Sequence, residues 1–328
     1  MTNNEIDIDT IEQLNVILPL QLMAVQQHFI HVLILDCWQT ETSPSQPILS
    51  QGIAAIDKID LPNAMKIVDL LVSSGNVPNV GENSDSQLIQ MPRPGDTYQR
   101  IFSAERAIEK KLTTALKTAT ETLTSNPNWS QIAHLITDPL AARNSFEVWM
   151  RFHENTGLPT NKSKSPLSGT SLSNLNHYFC YLVLSINQTM IHAFVHWHEG
   201  NKTLADATWK TSTSAMMLAA RITRTLSMRG LAPGPFSSFR LEEQFPQKIG
   251  INSESALDFD RKLALRAGVS AGKAASTLKQ AELEVQCRDG EKYFNNMGNW
   301  KRGENLPTVS SSCQSFERVL NEYGLGSE

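Results

Sequence analysis

Apolar residues recur along most of the chain at the three- and four-residue spacing of helices, and the alternation expected of half-buried strands is nearly absent. From Ile11 to Trp38, the spacing of Leu14, Ile17, Leu18, Met23, Val25, Phe29 and Val32 predicts one long helix. A polar row of Gln21, His28 and His31 is threaded through its apolar surface. Ile48 to Ser74 predicts a second helix, kinked or interrupted at Pro62 and stopped at Gly75. Tyr98–Leu123 and Ser130–His153 predict a third and a fourth. The second half repeats the layout. Leu172–Glu199 is a long apolar helix with a row of histidines, Leu204–Arg229 a helix stopped at Gly230, and Ser253–Ala267 and Ser270–Asn299 two more.

Two long polar segments rich in Pro, Gly and Ser, Asn76–Thr97 and Gly230–Ser253, each follow the second helix of a half. A third such segment, Thr156–Ser173, lies between the halves and reads as a linker. Loops longer than about 15 residues are uncommon inside compact domains unless they have a task. A connection of more than about 20 residues can span about 60 Å, enough to cross a bundle and begin the third helix at its far end. The Gly-Asn-Val-Pro that ends at Pro78 matches the Gly-Leu-Ala-Pro that ends at Pro233, and Gln21 with His31 matches Gln188 with His198. The expectation is an all-α chain of two four-helix units, residues 1–155 and 174–328, joined by 156–173, each with a long crossover between helices two and three.

Composition agrees with two domains: 328 residues fit about two of average size. With 29 basic against 33 acidic residues, the net charge of −4 gives no drive toward nucleic acid. Cys37, Cys180, Cys287 and Cys313 lie far apart without a CxxC spacing, so neither a zinc site nor a disulfide framework is expected. The acidic start MTNNEIDIDT is unlike a signal peptide. Asn15–Leu35 has the length of a membrane span but carries Gln21, Gln26, Gln27, His28 and His31, which lipid would penalise. A buried helix in a cytoplasmic protein, with no membrane partner, is the expectation.

The segment LNVILPLQLMAVQQHFIH (residues 14–31) resembles the first helix of bacterioferritin-type ferritins, and NAMKIVDLLVSSGNVPNV (63–80) resembles the end of their second. AIEKKLTTAL (107–116) and LITDPLAARNSFEVWM (135–150) resemble their third and fourth. The resemblance implies the ferritin-like fold, duplicated in tandem. In that family a Glu from each of two helices and a Glu-x-x-His from each of the other two hold a pair of irons. Matched onto this chain, the first Glu is Gln21, and the helix-two motif is Asp60-Leu61-Pro62-Asn63. The helix-three Glu is Glu109 or, in a shifted register, Glu105, and the helix-four motif falls on Leu140 and Ala142. Leu61 replaces the haem-ligating Met, so no haem is expected. In the second half, Gln188 stands for the first Glu, and Arg266 takes the helix-three position, where it is expected to face an interior acid among Glu282, Glu284 and Glu291.

Two readings follow. The first is a pseudo-ferritin without the standard di-iron carboxylate site, in a binding, structural or accessory role. The second is a metal-dependent oxidoreductase with an atypical iron or copper site on the histidine rows. Its candidate ligands are His28 and His31 with Glu105 or Glu109 in the first half, and His192, His196 and His198 in the second. His192 and His196, four residues apart, share a helix face in a spacing suited to Zn²⁺ or copper. Under the first reading the same residues are hydrogen-bonded polar groups inside a bundle, and there is no cofactor. The two bundles are expected to pair within the chain as ferritin-like homodimers do, with a further homodimer or a partner protein left open.

Overall fold

A computed structural model describes residues 6–42, 48–78, 98–153, 167–229, 231, 252–279, 281–301 and 314–325. Among these the chain is all-α, with nine helices and no strand. They are α1 (Ile8–Thr42), α2 (Ile48–Ser73), α3 (Tyr98–Leu123), α4 (Trp129–His153), α5 (Gly169–His198), α6 (Lys202–Ser227), α7 (Ser253–Thr277), α8 (Ala281–Gly298) and α9 (Phe316–Glu322). The chain divides into one unit of Met1–Ser163 with Gly230–Ala232 and a second of Lys164–Arg229 with Pro233–Glu328.

In the first unit α1 packs beside α2 and α3, and α4 beside the same two. The paired residues give the directions. Gln21 meets Asp60 while His28 meets Asp57, so α1 and α2 are antiparallel. His28 reaches Glu109 and His31 reaches Glu105, so α1 and α3 are antiparallel as well. α2 and α3 therefore run the same way. Of the two expected crossover segments, 76–97 and 230–253, residues 79–97, 230 and 232–251 lie outside the described residues.

The second unit repeats this arrangement. α5 packs beside α6 and α7, and α8 beside α6 and α7. Ser171 pairs with Thr277 and His192 with Asp260, which makes α5 and α7 antiparallel. α8 runs antiparallel to α6, from Thr225 with Glu282 to Thr211 with Met297. It is also antiparallel to α7, because Gly272 faces Glu291 and Gly268 faces Asn295. The short α9 buries Phe316 against the rings of Phe194, Trp197 and Trp209.

Helix ends follow the local chemistry. Gly75 stops α2 as its sequence position predicts. At φ 77° it lets Asn76 N–H reach the Leu71 carbonyl (2.8 Å) and Gly75 N–H reach Val72 (3.0 Å), a Schellman closure. Gly200 ends α5 in the same way. α5 begins at Gly169, capped by Ser168, so five residues expected in the linker are helical; 154–166 lie outside the described residues.

Two expectations are corrected. Pro62 does not interrupt α2. The residues around it, Asp60 and Asn63, are tied to α1 and α4, which holds the helix continuous through the proline. The break between the last two long helices falls after Thr277 rather than near Gly268. Gly268 and Gly272 sit inside α7, where a Cβ would meet the side chains of Asn295 and Glu291 at 2.3 and 2.5 Å. They are places of close helix approach, not stops.

α1 and α5 are long and apolar enough to cross a membrane. Of their most apolar stretches, 72% and 83% is buried against neighbouring helices.

Candidate functional site

The interior of the first unit holds a group of charged side chains from all four helices. α1 supplies Gln21, Gln27, His28 and His31, all fully buried. Spacings of seven and three residues bring Gln21, His28 and His31 onto one face. α2 supplies Asp57, Asp60 and Asn63, α3 supplies Glu105 and Glu109, and α4 supplies Arg143. The sequence candidates His28, His31, Glu105 and Glu109 are thus brought together, joined by three acidic or basic groups outside that set.

His28 is the hub. Its Nδ1 lies 2.9 Å from Asp57 Oδ1, and its Nε2 lies 3.0 Å from Glu105 Oε2 and 3.4 Å from Glu109 Oε1. His31 Nδ1 contacts Glu105 Oε1, and Gln27 donates to Glu105 Oε2 (3.4 Å). Burial alone would lower the His28 pKa. The Glu105 charge, the hydrogen bond to Asp57 and the close Glu105 and Glu109 carboxylates instead raise it well above the usual imidazole value. Burial alone would raise Glu105, but the charges and hydrogen bonds of His28 and His31 hold it down to about 2. Burial pushes the half-buried Asp57 up to about 6, against the opposing pull of His28.

Arg143 closes the other side. Its Nη2 donates to Asp60 Oδ2 (2.9 Å), its Nη1 donates to the Pro139 carbonyl (3.0 Å), and its Nε lies 3.3 Å from Glu109 Oε2. Asp60 also accepts from Gln21 Nε2 (3.2 Å). Gln21 in turn accepts from Asn63 Nδ2 (3.0 Å), which donates as well to the Leu135 carbonyl (3.0 Å). Several contacts around Glu109 are close in distance but not aligned as hydrogen bonds, so that carboxylate is held by charge more than by direction.

Ligand atoms of His28, Asp60 and Glu109 all lie within 4.8 Å of one another, a spacing a single metal ion could use. The di-iron centre implied by the resemblance does not fit these residues. Gln21 and Asn63 replace two ligands, and a guanidinium already contacts both Asp60 and Glu109. A Glu-x-x-His motif that starts at Leu140 ends on Arg143, not on Ala142. Arg143 was legible from spacing. It shares one stripe of α4 with Ile132, Leu135, Ile136, Pro139, Phe146 and Met150, all buried. A cation on an apolar stripe signals an interior acid.

In the second unit Gln188, His192 and His196 follow one another at four-residue intervals on α5, and all three are buried. His192 Nδ1 lies 2.7 Å from Oδ1 of Asp260 on α7, and the imidazole and Phe259 rings meet in a T-shaped contact. His196 meets no hydrogen-bond partner. Burial, with the His192 charge adding to it, holds its pKa down at about 3. His198 stands apart, exposed at the end of α5. Asp260 was absent from the candidates, although it lies on the stripe of Ala256, Leu263, Ala264, Ala267 and Ala271. Arg266 is exposed, so its expected place in the interior is corrected. Arg143, in the first unit, is the arginine that faces interior acids.

No family model matches the chain, and no curated protein or solved structure matches it significantly.

Proposed function

We propose that the chain is a tandem pair of ferritin-like four-helix bundles, and that an ion-pair network holds the interior of the first in place of a di-iron centre. Its role is that of a binding or accessory protein rather than an iron oxidase. The observation that carries this reading is the Arg143 guanidinium between Asp60 and Glu109. It supplies fixed positive charge where the family places metal. A buried ion pair gives conformational specificity in some proteins, and that is the role proposed for it here. The ring of antiparallel neighbours with parallel α2 and α3 supports the bundle assignment.

A second reading keeps the scaffold but makes it an oxidoreductase with one iron or copper ion on His28, Asp60 and Glu109, whose ligand atoms are close enough to share it. Binding would require His28 to give up its proton and Arg143 to move aside. Anaerobic loading with Fe²⁺ or Cu⁺, desalting and elemental analysis separates the two. The first reading expects no stoichiometric metal that Asp60→Asn removes. Retention of one ion or more per chain, abolished by Asp60→Asn with α-helical content intact, would overturn it in favour of the second.

A further inference from the structure

The second unit treats its interior polar group differently from the first. Asp260 is buried, and among the described residues no lysine or arginine pairs with it; its partner is His192. With His192 Nδ1 committed to Asp260, His192 Nε2 has no hydrogen-bond partner. One turn further along the same face, neither ring nitrogen of His196 has one, and His196 is fully buried. Gln188 Oε1, one turn before His192, and Asp260 Oδ2 are likewise buried and unpartnered.

Buried polar atoms are nearly always satisfied, so such a concentration on one helix face needs an explanation. A buried imidazole without a partner is neutral and offers a bare lone pair. Histidines that ligate metals have a recurrent support, in which the second ring nitrogen donates to a carboxylate that orients the ring and raises its basicity. Asp260 stands in that relation to His192. An ion on Nε2 would also bring positive charge to the buried Asp260 through the ring.

We propose that His192 Nε2 and His196 bind a single transition-metal ion of the class that prefers imidazole, such as Zn²⁺, Co²⁺ or copper, with Asp260 as the positioning residue and the Gln188 oxygen on the same face. The histidine pair four residues apart is the spacing helices use for such ions. The site is separate from the Arg143 network, so it stands or falls independently of the reading given above.

The test uses the full chain, stripped with a chelator and dialysed against Co²⁺ or Zn²⁺. One equivalent is expected to remain, with a ligand-field absorption band for Co²⁺. His192→Gln, whose amide can still serve Asp260, and His196→Leu are each expected to weaken retention at least tenfold, while Asp60→Asn in the first unit leaves it unchanged. His196→Leu should also raise the Tm of the metal-free chain, because it removes a buried group that lacks partners. In case a variant folds poorly, long-range ¹H–¹⁵N spectra of the unaltered chain give a second readout, in which Zn²⁺ should shift the ring nitrogens of two histidines. Four results would overturn the proposal: no retained ion, retention indifferent to both histidine variants, a lower metal-free Tm for His196→Leu, or no imidazole shift with Zn²⁺.

Discussion

Replacing Arg143 with Met tests the ion-pair network directly, because it keeps the aliphatic stem of the side chain and removes the guanidinium with its charge and donors. Arg143 is buried and touches two carboxylates, at 2.9 Å for Asp60 and 3.3 Å for Glu109. Removing one partner of a buried pair leaves an uncompensated charge and costs about 3–5 kcal/mol. Here the lower end applies, because Asp60 keeps the Gln21 amide and Glu109 keeps His28 at 3.4 Å. For a domain of this size, about 3 kcal/mol lowers the Tm by roughly 6–12 °C. The loss must also depend on pH. Without the cation, two buried carboxylates keep their charge with no guanidinium to offset it, a penalty that protonation relieves, so the loss is full at neutral pH and smaller in acid. Urea unfolding followed by Trp149 fluorescence reports on this unit, since that ring stacks on Phe146, three residues from Arg143. Asp60→Asn in the Arg143→Met background should recover part of the stability, with a coupling energy beyond simple additivity. A loss under about 1 kcal/mol at pH 7, or one of equal size at pH 4, would refute the reasoning, because a buried pair of this kind cannot be lost so cheaply.

Two further outcomes are expected. The first unit should lose stability on both sides of a window. His28, raised in the folded state, contributes fully below its unfolded value of 6.5 and loses that contribution as pH climbs through the folded value. Glu105, lowered, contributes above its unfolded 4.5 and loses that contribution as pH falls toward about 2. Asp57 opposes the trend between its unfolded 3.8 and about 6. A stability profile for this unit that stays flat from pH 6 to 9 and again below 4.5 would contradict the network. In the second unit Gly290→Ala should destabilise by about 1–3 kcal/mol, since its Cβ would fall 1.9 Å from the buried Tyr178 hydroxyl. Tyr178→Phe should rescue most of that loss, and a double variant no more stable than Gly290→Ala in thermal melts would show that the contact lies elsewhere.

The helices were legible in the sequence, and so was the polar row on α1 as an interior row, although apolar periodicity by itself did not give that direction. Gln21, His28 and His31 are fully buried, whereas Met23, Val25, Phe29 and Val32 are only partly so. α1 is apolar nearly all round, so periodicity alone does not choose its inner face. The choice comes from partners more than twenty-five residues away in sequence, Asp57, Asp60, Glu105 and Glu109, which no local pattern joins to His28. On α4 and α7 the opposite holds. Arg143 and Asp260 each interrupt an otherwise apolar stripe, and a lone charge on such a stripe marks an interior partner, which a pattern of carboxylate and histidine ligand positions does not contain for Arg143. His198 failed as a partner for a geometric reason. Two residues on from His196, it leaves the shared face just where Gly200 ends the helix.

The two interiors therefore place opposite demands on an added cation. In the first unit Asp60 and Glu109 already share Arg143, and His28 already carries a proton between Asp57 and Glu105, so an ion must displace fixed charge before it gains a ligand. In the second, His192 Nε2 and both His196 nitrogens have no hydrogen-bond partner to give up, and among the described residues Asp260 has no lysine or arginine. Scarce metal added to the full chain should thus enter the second unit first. Competition between the two is read by whether Asp60→Asn or His196→Leu changes the ion retained at less than one equivalent. An ion that responds to Asp60→Asn alone would mean that displacing Arg143 costs less than the charge contacts imply. The ion-pair reading of the first unit would then fall, while the second-unit site would still be decided by its own histidine variants at higher metal.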